Sequence, residues 1–164
     1  MANGILTQER LKELLHYEPE TGIFTRLKRT SNRIKIGDVA GGLNGGGYIQ
    51  IRLFGKLQQA HRLAWLYMTG SMPEHEIDHK NSDKSDNCWS NLRDVTHQQN
   101  SHNQRSHHSN NKNNVLGVMK NNAGFAARIR INYVPIHLGT FPTKELAHEA
   151  YLIAKRAMHS TCTI

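Results

Sequence analysis

The apolar positions of this chain change period several times, and each change marks an element. Leu11, Leu14 and Leu15 lie on one helical face, so a short helix is predicted over residues 5–16. Thr7 is suited to cap it, and Leu6 with Leu11 fits a hydrophobic staple across its start. Pro19 and Gly22 mark a turn before a short strand at Ile23–Leu27. In YIQIRL the period drops to two: Ile49, Ile51 and Leu53 share one face, and Tyr48, Gln50 and Arg52 the other. Phe54-Gly55 then turns the chain into KLQQA, which predicts a β-hairpin. HRLAWLYMTG is apolar nearly all round and stops at Gly70, as a central buried helix with a glycine C-cap would. His61 opens that helix, with two roles available: a structural imidazole bonded to a backbone or carboxylate partner, or support of a nearby site.

A strand over Glu76–His79, a polar loop over 80–91 and a strand over Leu92–Val95 follow. Thr96 and Gln99 make a capping box for a helix from His97 to about Arg105. Residues 97–114 hold no apolar side chain, so 106–114 reads as a polar linker. Beyond it, LGVMK, FAARIRIN and IHLGTF read as three antiparallel strands. In the second of these, Phe125, Ala127, Ile129 and Ile131 face one way, and Ala126, Arg128 and Arg130 the other. Thr143 caps a last helix, Lys144–Met158, with Ala147, Ala150, Tyr151, Ala154 and Met158 at helical spacing. The fold class is therefore α+β. The domains are residues 1–105, the linker 106–114, and 115–164.

Composition sharpens this picture. The hydrophobic fraction of 37% over 164 residues suits two modest cores better than one large one. The net charge is +8 but uneven: residues 71–96 hold six Asp/Glu against three Lys/Arg, while both flanks are basic. A basic chain with an acidic island suggests a polyanion partner with a cation held between them. The alternative is that solvated Lys and Arg simply keep the chain soluble. Two cysteines, Cys88 and Cys162, without CxxC spacing, argue against a zinc ribbon or a disulfide framework and point weakly to a reduced cytoplasmic setting. No signal-peptide h-region is visible, and the longest apolar run, Leu63–Met68, cannot span a bilayer. The five glycines of Gly41–Gly47 lack the strand–helix context of a dinucleotide site.

The acidic island also holds the candidate chemistry. Phosphodiester hydrolysis needs an attacking water, a base and a cation beside the phosphate. His79 is suited to be the base, because imidazole titrates near neutral pH. Asp78, its neighbour on a strand, points to the other side and can reach a metal. Oxygen donors suit a hard ion such as Mg²⁺ or Mn²⁺. Asn100, in the first turn of the following helix, is the candidate second ligand, with His97 one turn earlier as its rival. Arg29 in the basic stretch Lys28–Lys35, Arg52, Lys120, Arg128 and Arg130 are candidate DNA contacts, although the basic stretch reads equally well as an exposed loop. A three-stranded sheet with Arg128 and Arg130 on its open face can lie in a major groove.

AHRLAWLYMTG and EIDHKNSDKSDNCWSNLRDVTHQQN, within residues 60–100, resemble the HNH endonucleases, above all the phage and intron-encoded homing type. LLHYEPETGIFTR and GDVAGGLNGGGYIQI are similar to members of that family too. The resemblance implies a ββα-metal fold, with Asp78 and Asn100 as metal ligands, His79 as general base and Asn91 as the central asparagine that clamps the loop. Asn replaces the final His that names the family, which favours a hard divalent ion over zinc. The resemblance also implies a cytoplasmic enzyme of a bacterial host, if phage-encoded.

Residues 115–158 resemble the apetala/ethylene-response-factor DNA-binding domain through LGVMK, FAARIRI, IHLGTF and AYLIAKRAM. That resemblance implies that Arg128 and Arg130 contact bases or phosphates. Met119 and Lys120 stand where plant members carry arginines, and Phe125 where a Trp is common. The expected protein is a metal-dependent DNA endonuclease with double-stranded DNA as partner, no membrane, and a monomer or weak dimer. A non-catalytic DNA-binding protein with a degenerate nuclease fold is the alternative from another class. An RNA-binding module would need clustered strand aromatics that the chain lacks.

Overall fold

A computed structural model describes residues 6–102, 115–131 and 133–158. The chain divides into two compact units, Met1–Thr96 and His97–Ile164. Both are α+β, built on small antiparallel sheets.

In the first unit, helix α1 (Gln8–Leu14) starts at Thr7, whose hydroxyl accepts the Arg10 N–H. The predicted helix ran to residue 16. It ends sooner because Leu15 takes an extended conformation, φ −134° and ψ 140°, and opens strand β1 (Leu15–Glu18). Leu15 and Tyr17 are buried while His16 and Glu18 are exposed, a two-residue period that Leu14 and Leu15 had masked. β1 pairs with β2 (Ile23–Arg26) in a hairpin, with Tyr17 opposite Phe24.

Strands β3 (Gly42–Leu43), β4 (Ile49–Leu53) and β5 (Lys56–Gln59) make a three-stranded meander. Phe54 and Gly55 both take positive φ, 50° and 78°, as a two-residue hairpin turn requires. The glycine-rich loop is ordered around Asn44, whose side-chain oxygen accepts the Gly46 and Tyr48 N–H groups. Helix α2 (Ala60–Thr69) follows and ends at Gly70 with φ 84°. Its Ala60, Leu63, Ala64 and Leu66 join Leu11, Leu15, Tyr17, Phe24, Ile51 and Leu53 in one core. Ile77 of β6 (Glu76–His79) and Leu92 of β7 (Leu92–Val95) belong to the same cluster. That anchors the β6–β7 pair to the interior.

The second unit starts with helix α3 (His97–His102). The predicted end of this helix at Arg105, the 106–114 linker, the histidines at 107 and 108, and Cys162 lie outside the described residues. Strands β8 (Val118–Asn121), β9 (Gly124–Ile131) and β10 (Val134–Phe141) form an antiparallel sheet with β9 central. Helix α4 (Lys144–Met158) covers one face through Ala147, Tyr151 and Ala154. Met158 was expected on that face, but it is 46% exposed at the helix end. Among the described residues, no helix is long and apolar enough to cross a membrane.

Candidate active site

β6 sets the geometry by its two-residue period. Ile77 and His79 point inward and are buried, and Asp78 points the other way. Asp78 faces Arg93 across the β6–β7 register. The guanidinium holds the Asp78 carboxylate through Nε at 2.9 Å and Nη2 at 2.7 Å, with both side chains largely shielded from solvent.

His79 is 5% exposed. Its Nε2 lies 3.3 Å from Asn87 Oδ1. The Asn87 amide is oriented by its own Nδ2, which donates to Ser85 O at 3.1 Å. The atom facing His79 is therefore an acceptor, so Nε2 must carry the proton and Nδ1 is left as the basic nitrogen. Burial lowers the His79 pKa, opposed by the Asn87 bond and by Asp78, Asp86 and Asp83. A neutral imidazole with one defined tautomer results, which is the state a general base requires.

The loop between β6 and β7 is shaped by Asn91, which closes the 3-10 turn Trp89–Asn91 and is buried. Its Oδ1 accepts the Asn81 N–H at 3.0 Å, and its Nδ2 donates to Asp86 O at 2.8 Å. Its backbone oxygen accepts the Lys80 N–H at 2.9 Å. One side chain thus ties both arms of the loop. Asn81 adds a bond to Asp86 Oδ2 at 2.7 Å. Hydrogen bonds from Ser85 to Asp83, and from Cys88 to Asp86, keep both carboxyls below their ordinary range.

Behind His79 stands His61. Their rings meet edge to face, 5.2 Å apart, and Tyr48 lies 5.4 Å from His61 and 6.0 Å from His79. Among the described residues, the backbone or carboxylate partner expected for His61 is not seen at Nδ1, which is buried with no hydrogen-bond partner there. Burial, with the neighbouring His79 and Arg62, pushes the His61 pKa down to about 4. His61 is thus held neutral as an apolar-like wall. The helix start at Ala60 brings it here, because α2 follows β5 without a loop.

The other candidates are spread more widely. Asn100 sits on α3, in the second unit, as does its rival His97. Arg29 and Arg52 are exposed in the first unit, and each donates to carbonyls of its own loop: Arg29 to Ser31 and Asn32, and Arg52 to Gly55. In the second unit Arg128 and Arg130 are exposed on one face of β9, opposite His137 and Pro135 of β10. Ala126 lies on that same face yet is 1% exposed. Lys120 is opposite Phe125 and so belongs to the other face. Among the described residues, no group of three or more His, Cys, Asp and Glu gathers to hold a metal.

Asn87, Arg93 and Tyr48 were not singled out by sequence. The register explains Arg93, but Asn87 and Tyr48 reach His79 only through loop conformation, for which residue spacing gives no signal.

Residues 58–102 match the family model described as HNH endonuclease. The matched segment takes in α2, β6, β7 and α3. A search of curated proteins found no match. Among solved structures, that of the HNH homing endonuclease I-HmuI, on DNA binding and cleavage, aligns at 23% identity with a TM-score of 0.45. The alignment covers 83% of this chain and 76% of that one. A likeness at that level carries no functional weight.

Proposed function

We propose that the chain is a metal-dependent DNA endonuclease of the homing type, built on a ββα-metal site. The observation that supports this best is His79: a buried, neutral imidazole whose Nε2 is held by Asn87, within the segment that matches the HNH endonuclease model. In this reading water attacks the phosphorus in line, and His79 Nδ1 takes its proton. Asn91 keeps the loop in the shape that positions Asn87 and the backbone around His79. Asp78 and Asn100 would hold the divalent ion. Their donors are a carboxylate and an amide oxygen, a set that fits a hard ion such as Mg²⁺ or Mn²⁺. When bound, such an ion neutralises phosphate charge and stabilises the departing 3′ oxygen.

DNA is the proposed partner. Its support is the uneven charge, with basic flanks around the acidic segment. In the second unit, Arg128 and Arg130 would contact DNA in the manner of an apetala-type domain, with residues 1–105 as the nuclease domain and 106–114 as the linker. Arg29, Arg52 and Lys120 would add phosphate contacts. One site in one chain cuts one strand, so a monomer should nick, and a double-strand break would take two engagements or a weak dimer.

One observation favours the alternative, a DNA-binding protein with a degenerate nuclease fold. Arg93 already neutralises Asp78, the role a cation would otherwise have. Supercoiled plasmid incubated with Mg²⁺ or Mn²⁺, with and without chelator, separates the two readings. Wild type should convert it to open circles only with metal, and His79→Ala should not. DNA binding without metal-dependent cutting would establish the alternative.

A further inference from the structure

The tip of the β1–β2 hairpin is fastened to the loop that carries Asn87 by contacts that span some seventy residues of sequence. The Tyr17 hydroxyl donates to the backbone oxygen of Asn87 at 2.6 Å. The Trp89 N–H donates to Pro19 O at 2.8 Å, and the Cys88 thiol to Glu20 O at 2.9 Å. Gly22, at φ +72°, leaves no room for a side chain: a Cβ there would stand 2.3 Å from the Asn87 carbonyl carbon and 2.4 Å from the Cys88 nitrogen. Both atoms belong to the Asn87–Cys88 peptide, whose oxygen Tyr17 also holds, so the hairpin grips the Asn87 backbone while His79 meets its side chain.

Tyr17 is itself immobilised. It is 1% exposed, with its ring 4.7 Å from that of Phe24 and 5.6 Å from that of Tyr67. A buried tyrosine needs a partner for its hydroxyl, and many acceptors would serve. Here the acceptor is the backbone of the residue whose side chain fixes the catalytic imidazole. Its phenol pKa is pushed up by burial and by the nearby Cys88, Asp86 and Glu18, so it stays a donor.

We infer that Tyr17 is a positioning residue for the proposed nuclease reaction: through its bond to the Asn87 carbonyl it holds Asn87 Oδ1 against His79 Nε2 and so keeps His79 Nδ1 unprotonated. The inference rests on the nuclease reading for its catalytic consequence, but not for its structural content. If Asn87 shifts, Nε2 loses its acceptor, and the imidazole partitions between tautomers. The fraction with Nδ1 protonated cannot accept a proton from water there.

The test uses Tyr17→Phe, which keeps the packed ring and removes only the hydroxyl. Nitrogen-15 NMR of the full chain, without metal or DNA, reads the His79 tautomer directly. Wild type should show Nε2–H alone. Tyr17→Phe should show a mixture, as should Asn87→Ala, and combining the two should add nothing. On plasmid, Tyr17→Phe should lower kcat on the order of ten-fold with KM unchanged, since only the base is misplaced. Gly22→Ala, which pushes on the same peptide from outside, provides a second route and should give the same mixture. Retention of the wild-type tautomer and rate in both Tyr17→Phe and Gly22→Ala, while wild type cuts DNA, overturns the inference alone. A wild type that cuts nothing overturns the nuclease reading, and the tautomer comparison still decides what Tyr17 does.

Discussion

The β6–β7 loop and the β8–β10 sheet both place polar side chains for use, but in opposite ways. In the loop Asn87 and Asn91, and beside it His79 at the end of β6, are buried, and each is fixed by named hydrogen bonds. On the sheet, Arg128 and Arg130 are exposed on a regular strand. A group that must take a proton from one particular atom has to be held in one tautomer and one orientation, which needs surrounding structure. A group that meets a polyanion needs charge and reach, which a strand supplies by alternation alone. The contrast teaches that the loop is fragile to single substitutions and the sheet is graded.

The sharpest break in that contrast is His79→Ala. It should reduce cleavage by about 10³-fold or more while leaving DNA affinity within a few-fold, since the base is lost and the charged faces are untouched. Quantitative plasmid nicking beside a binding titration checks it, and cleavage within ten-fold of wild type would remove His79 from the role of base.

Asn91→Ala should come next. It leaves the Asn81 N–H and the Asp86 carbonyl without their partner in a partly buried loop, at a cost of about 2–3 kcal/mol. Urea unfolding reads this. A change under 1 kcal/mol would mean that the loop holds its shape without Asn91.

Acid should weaken the first unit through His61. Its pKa falls from the ordinary 6.5 to about 4 in the folded chain, so below pH 6.5 the unfolded chain binds more protons. The neutral ring's contribution is complete above that value and is lost as pH falls towards 4, by on the order of 3 kcal/mol. Unfolding at pH 7 and pH 4.5 should show this loss in wild type and much less in His61→Phe. Equal losses in the two would assign the acid sensitivity elsewhere.

The smallest effect is expected at the sheet. Arg128→Ala with Arg130→Ala should weaken DNA binding by roughly ten- to a hundred-fold and flatten its salt dependence by up to about two units of slope, without unfolding. Unchanged affinity and slope would show that the open face is not a DNA contact. It would also leave the first unit to bind by itself.

Several elements were legible because one rule decided each of them. The alternation of YIQIRL with Phe54-Gly55 yields the β4–β5 hairpin, Gly70 ends α2, and the alternation of FAARIRI puts Arg128 and Arg130 together. At the N-terminus two rules competed. Leu11, Leu14 and Leu15 fit a helix, yet Leu15 and Tyr17 also fit a strand, and pairing with β2 settled the matter. Lys120 shows a similar limit. Its charge made it a candidate DNA contact, but register puts it opposite Phe125, on the face away from Arg128.

What the sequence determined by itself is the order of elements, the strand faces, the charge asymmetry and the residue types suited to phosphodiester chemistry, because these depend on spacing and on intrinsic side-chain properties. What only the tertiary structure decided is the state of those residues. His79 has its tautomer from Asn87, Asn87 is gripped by Tyr17 and the Gly22 turn, His61 is neutral through burial, and Asp78 is paired to Arg93 by register. Each of these depends on atoms brought together from distant parts of the chain, and the free energy of a proton or a hydrogen bond is set by that local environment, which no residue carries in its own identity.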